Sequence, residues 1–289
     1  MGKLHAFPTK QAPQHQDHQP GITDEMRPKP QDHMERYQAA GKLKGKNALI
    51  TGGDSGIGRA VAIGFAKEGA NVAINYLEEN EDAQETKRAV EAEGVKCVLI
   101  QGDLSHHEFC DKLAKEAKEA LGHIHILVNN AAEQHEAEDF EDIPEAQIQQ
   151  TFATNLFGAM YLTQKILPDM KAGDCIINTA SITAYYGNKT LIDYSMTKGA
   201  LVSFTRSLSQ SLAKKNIRVN AVAPGPIWTP LIPASFDSEK VEKFGSQTPM
   251  GRAGQPDEVA PAYIFLASDD ASYITGQVIH PNGGSIING

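Results

Sequence analysis

Cysteine is scarce in this chain: of 289 residues only Cys97, Cys110 and Cys175 are thiols. They make no CxxC pair, and an odd number argues against a disulfide framework, so a reducing cytoplasm is the expected setting. Long apolar runs are also missing. None approaches the roughly 20 residues that span a bilayer, and no basic-then-apolar leader is present, so neither membrane insertion nor export is expected. Positive charge is in deficit, with 27 Lys and Arg against 36 Asp and Glu, a formal net charge of -9. That balance works against non-specific binding to nucleic acid or to anionic membrane. Internal repeats are absent. What is present, 40% hydrophobic and 22% charged residues, suffices for one large α/β domain or two small ones.

The first 45 residues are rich in Gln, His, Pro and charge and show almost no apolar periodicity. They read as an arm without a core of its own, disordered or draped over the main domain. The spacing of His5, His15, His18 and His33 fits no metal-ligand set, and no metal is expected. Residues 46–289 then alternate short β-rich runs with longer helical patterns. The runs are NALIT (47–51), NVAINY (71–76), VKCVLIQ (95–101), IHILVNN (124–130), DCIINTA (174–180), IRVNAVA (217–223) and GQVIHP (276–281). Several are apolar throughout, as strands covered on both faces should be. The rhythm implies a single α/β domain with a doubly wound, parallel, seven-stranded sheet of Rossmann type and helices on both faces. Its expected strand order is 3-2-1-4-5-6 with a seventh added.

Directly after the first run comes TGGDSGIGRA (51–60). Gly52 permits a tight exit from the strand, Gly56 lets backbone N–H groups approach a pyrophosphate, and Gly58 allows close packing of the following helix. Turns use glycine everywhere, but a strand before and a helix after favour dinucleotide binding. Asp54, Ser55 and Ile57 complete the turn. The second run ends at Asn75 and Tyr76, where Asn75 neither repels nor neutralises a 2′-phosphate and Asp54 mildly disfavours one. NAD and NADP therefore both stay open. Further on, Tyr194 and Lys198 stand four residues apart at the entry to a predicted helix over 195–213, and with helical spacing they lie one above the other on one face. A Tyr packed on the stem of a Lys is the plain structural alternative.

These motifs, together with GDL (102–104), NNAA (129–132), Asn155, Ser181 and PGPIWTP (224–230), occur in an order that resembles the short-chain dehydrogenase/reductase family in its standard-length branch, over roughly 45–289. The arm resembles the general-stress, glucose/ribitol-dehydrogenase-like subgroup. The resemblance implies an NAD(P)-dependent oxidoreductase with Asn155, Ser181, Tyr194 and Lys198 as its catalytic group. It implies cofactor contacts from Asp103 and Leu104, from Asn130, Ala131 and Ala132, and from Pro224, Gly225, Ile227 and Thr229, besides the glycine turn, Asn75, Tyr76, Tyr194 and Lys198. In this scheme Tyr194 exchanges the proton, Ser181 polarises the substrate oxygen, and Asn155 holds a water that links Lys198 to solvent. Lys198, with the oxidised nicotinamide ring, is expected to lower the phenol's pKa from its usual value of about 10. Ala132 departs from the glycine usual after NNA, which bears on pocket detail.

The stretch from Pro224 to about Gly254 is long enough to be a lid. Its Trp228, Leu231, Ile232, Phe236 and Met250, with Ile182, Tyr185 and Tyr186, are expected to line a pocket to which Gln134 and His135 add polar contacts. With no Arg pair to clamp an anion, the expected substrate is a small neutral aldehyde, ketone, sugar or polyol. The helix over 195–213 carries only Lys198 and Arg206 as charges, so a second subunit is expected on it, in a homotetramer. A catalytically silent cofactor sensor, or a stress-associated interaction protein working through the arm, is the alternative on the same fold.

Overall fold

In the computed structural model, which describes residues 7–287, the run NALIT forms β1 (Asn47–Thr51), an interior strand of the sheet. The chain continues through α1 (Gly56–Lys67), β2 (Asn71–Tyr76), α2 (Asn80–Ala92), β3 (Cys97–Gln101), α3 (His107–Leu121) and β4 (Ile126–Asn129). It then forms α4 (Glu145–Phe152), α5 (Gly158–Ile166), β5 (Cys175–Thr179), α6 (Thr183–Tyr186), α7 (Ile192–Leu212) and β6 (Arg218–Val222). The last elements are α8 (Leu231–Ser235), α9 (Ser238–Glu242), α10 (Pro256–Ala267) and β7 (Val278–Ile279). All seven strands pair in parallel in the order β3-β2-β1-β4-β5-β6-β7, the doubly wound arrangement expected from the alternation of runs. β7 is shorter than its run: only Val278 and Ile279 pair, with Ala221 and Val222, after Gly276 turns the chain at φ +72°.

Strand side chains alternate between two cores because successive Cβ atoms point to opposite faces. Ala48 and Ile50 join Val61, Phe65, Tyr263 and Ile264 on the α1 and α10 side, whereas Leu49 joins Leu113, Leu127 and Leu162 on the α3 and α5 side. Each such fully buried side chain contributes about 1.5–3 kcal/mol. α1, α2 and α3 end close to Gly69, Gly94 and Gly122, all at positive φ, where a side chain would be strained.

Residues 7–46 contain one short helical turn, Thr23–Glu25, and lie along the sheet domain. Met26 and Met34 are fully buried, so this segment adds apolar material to cores built elsewhere. Asp32 pairs with the buried Arg59 of α1 (3.4 Å), which also binds Asp82 of α2 (2.7 Å) and the Asp54 carbonyl (2.9 Å). One guanidinium thus ties the arm to the glycine turn. The Glu68 carboxylate accepts from the backbone N–H groups of Ala40 and Lys42, fixing the last residues before β1. His5 lies outside the described residues; His15 meets the Phe236 carbonyl and His33 meets Asp32.

Candidate active site

A cavity of about 550 Å³ opens at the carboxyl ends of the strands. Its first half is made of backbone. Gly52 and Gly56 have φ of +59° and +50°, which favour glycine, and Gly58 admits no side chain at all: a Cβ there would sit 1.8 Å from the Gly52 carbonyl oxygen. Ser55 precedes α1 without capping it through its side chain, so the first-turn N–H groups face the cavity with the positive end of the helix. Asn130 secures the turn from behind, its side-chain amide donating to the carbonyls of Thr51 and Gly52 at 3.2 and 3.0 Å. Except for Gly58, which packs under the turn, every residue expected to contact a cofactor lies on the wall of this cavity.

The ends of β2 and β3 carry a surplus of carboxylates. Asn75 is buried, and its amide is spent on the carbonyls of Tyr76, Ile100 and Gly102, so it braces strands. Burial and the neighbouring Asp82 push Asp54 up to about 6; burial and Asp54 push Glu79 up to about 7. Asp103 accepts from the Ser105 N–H at 2.8 Å, closing the turn after β3.

The second half holds Ser181, Tyr194 and Lys198, all buried and all on the cavity wall. The helical spacing sets the Lys198 ammonium 5.4 Å from the centre of the Tyr194 ring, and Lys198 donates to the Thr179 carbonyl at 2.8 Å. Ser181 Oγ accepts from the N–H and hydroxyl of Thr183 at 3.1 and 3.0 Å, which leaves its own proton free to point elsewhere. Burial pushes Tyr194 up to about 12, with the Ser181 hydroxyl pulling the other way, and burial alone brings Lys198 down to about 7. In this desolvated pocket the neutral form of each group wins over their mutual attraction.

Asn155 lies behind the wall, inside a single π-helical turn, Ala153–Phe157, between α4 and α5. Its amide pairs with the backbone of Glu133 in both directions (2.8 and 2.9 Å) and reaches Thr197 at 3.3 Å. That side chain ties the π-helical turn to the loop after β4 and to α7. Several expected pocket residues are elsewhere. Trp228 is fully buried among Met26, Val241 and Ala253, its indole N–H donating to the Pro28 carbonyl at 2.8 Å. Tyr185 stacks edge-on against His280 near β7, and Met250 is 61% exposed. Leu231, Ile232, Phe236, Ile182, Tyr186, Gln134 and His135 do line the cavity. So do Gln19, Pro20 and Gly21 of the arm, which sequence reasoning missed; a Gln-Pro-Gly run in a polar segment carries no periodic signal.

Away from the cavity, His123, His125 and Asp174 gather where β4 and β5 begin. His123 Nε2 meets Asp174 at 2.7 Å, and His125 Nδ1 accepts the Asn47 N–H at 3.0 Å. With Nδ1 occupied as an acceptor, the other nitrogen of His125 carries the proton, so metal ligation there competes with a hydrogen bond already made.

Residues 52–285 match a family model described as enoyl-(acyl carrier protein) reductase. The chain is 56% identical to general stress protein 39 of Bacillus subtilis over 97% of this chain and 98% of the relative. It is 52% identical to the chloroplastic NADPH-dependent aldehyde reductase 1 of Arabidopsis thaliana, over 95% and 98% of the two chains. Among solved structures, a short-chain dehydrogenase from Burkholderia cenocepacia in complex with NADP superposes with a TM-score of 0.79 at 30% identity, covering 84% of this chain and 98% of that one.

Proposed function

Because the chain belongs to the short-chain dehydrogenase/reductase family, and is on that ground an NAD(P)-dependent oxidoreductase, we propose that Tyr194 exchanges the proton with a small neutral carbonyl or alcohol. The glycine turn fits a dinucleotide: a Cβ at Gly58 would strike Gly52, and the uncapped start of α1 offers donors to a pyrophosphate. Gly52, Asp54, Ser55, Gly56 and Ile57 would hold that part, Asp103, Leu104 and Tyr76 the adenosine end. Asn130, Ala131, Ala132, Lys198, Pro224, Gly225, Ile227 and Thr229 would hold the nicotinamide end. When bound, the cofactor would supply or take up the hydride.

The observation that carries the reading is a buried phenol beside a hydroxyl whose oxygen is occupied by Thr183 and whose proton remains to be donated, on one cavity wall. A carbonyl oxygen gains negative charge as it is reduced, and both groups are suited to meet it: Ser181 as hydrogen-bond donor, Tyr194 as the acid that gives up its proton. Lys198, brought down to about 7, exchanges protons readily near neutrality and is suited to reload the phenol. Asn155 is a positioning residue that fixes the Glu133 loop. Among the described residues the cavity wall contains no Arg, and Lys198 is its only Lys, which supports a neutral aldehyde, ketone, sugar or polyol; the likeness to an aldehyde reductase points the same way.

We place the enzyme in the cytoplasm, since no helix among the described residues is long and apolar enough to cross a membrane and the three thiols are free. The likeness to a general stress protein supports a role under stress. Phe157 beside α5 and Met196 on α7 are exposed, and Leu156, Ala159 and Leu201 from the same stretch of helices form an apolar cluster, which supports a homotetramer joined across these helices. Sedimentation at micromolar concentration checks this, and a stable monomer refutes it. The activity is tested by screening aldehydes, sugars and polyols with NAD(H) and NADP(H), comparing wild type with Tyr194→Phe. Turnover that survives loss of the phenol would overturn the mechanism.

A further inference from the structure

The arm does more than cover a core. The side chain of Gln19 pairs with the main chain of Gln134 in both directions, donating to its carbonyl at 2.8 Å and accepting from its N–H at 3.1 Å. Its second amide hydrogen reaches the Ala234 carbonyl of α8 at 3.3 Å. One side chain thus joins the loop after β4 to the lid. The next residues are held as firmly: a Cβ on Gly21 would lie 2.3 Å from the Pro230 carbonyl oxygen, and Gln16 closes the turn by bonding both backbone groups of Ile22 at 2.8 and 2.9 Å. Upstream, Gln16 N–H donates to Pro233 O (2.8 Å) and Gln11 N–H to Glu242 O (3.1 Å), so the arm follows the lid from Pro230 to Glu242. With both hydrogens of the Gln19 amide spent on carbonyls, this wall presents mainly carbon: the Gln19 stem, the Pro20 ring and Gly21.

We propose that the Gln19–Pro20–Gly21 stretch is a specificity wall of the substrate pocket, fixing the lid against the Gln134 loop and limiting the length of carbonyl substrate admitted. This rests on reading the cavity as a carbonyl-reduction site. A wall made mainly of carbon discriminates by size, and in pockets of this kind one methylene is worth about tenfold or more in kcat/KM.

The test compares full-length wild type with Gln19→Ala, using propanal and hexanal as substrates. Hydrogen exchange at the Gln134 amide is the readout independent of turnover. Gln19 is only half-buried, so its truncation leaves the cores intact. The expected result is faster exchange at Gln134 together with a rise of about tenfold in the hexanal-to-propanal ratio of kcat/KM, carried by KM. Gly21→Ala, whose methyl must push the arm off Pro230, should shift the ratio the same way. Faster exchange with a ratio unchanged within about twofold would overturn the wall, and so would unchanged exchange. Reduction of neither aldehyde by wild type would instead overturn the reading of the cavity as a simple-aldehyde site, and the wall with it.

Discussion

The two halves of the cavity are built by different means. The cofactor half is backbone: three glycines, a helix start and strand ends, held in place by the two cores of the sheet. The substrate half depends on side chains that reach across long stretches of chain, such as Gln19 to the main chain of Gln134, 115 residues apart, and, outside the cavity wall, Lys240 to Glu136 and Glu138. The first arrangement suits a ligand whose shape does not vary. The second leaves the pocket open to change by single substitutions that spare the fold.

The largest expected effect separates chemistry from binding. Tyr194→Phe should lower kcat/KM by about 10³-fold while cofactor affinity, measured by titration, stays within about threefold, since general acid catalysis contributes about 10²–10⁴. Gly58→Ala breaks the other half. Its Cβ has to displace the Gly52 carbonyl, an overpacking cost of about 2 kcal/mol, so calorimetry should find cofactor bound about thirtyfold more weakly.

A third experiment sharpens the contrast through pH. Asp54 and Glu79, pushed up to about 6 and about 7, are mostly neutral at pH 5.5 and mostly charged at pH 8. As pH rises through that window, negative charge accumulates beside the site expected for the adenosine, so the NADP-to-NAD ratio of kcat/KM should fall by about threefold or more. Asp54→Asn should flatten the profile. The smallest effect belongs to the rim. Lys240→Ala removes a half-exposed bridge worth less than about 1 kcal/mol, and melting temperature and turnover should change little.

The difference between the halves also governed what could be read beforehand. β1, α1 and the glycines between them are contiguous, so their period and spacing carry the fold and the cradle, and Tyr194 and Lys198 are set together by one helix. Trp228 was misplaced on the pocket wall because its partner, the Pro28 carbonyl, lies 200 residues away in a segment with no pattern. Tyr185 was misplaced for the same kind of reason, since its neighbour His280 follows only from the arrival of β7.

Trp228 is the only tryptophan in the chain, and it is held between the lid core and the Pro28 carbonyl. Its ultraviolet emission therefore carries no background from other indoles. Release of the arm hydrates that ring and moves its spectrum to longer wavelength, so the protein has an intrinsic optical gauge of whether the arm from residue 7 onward is docked.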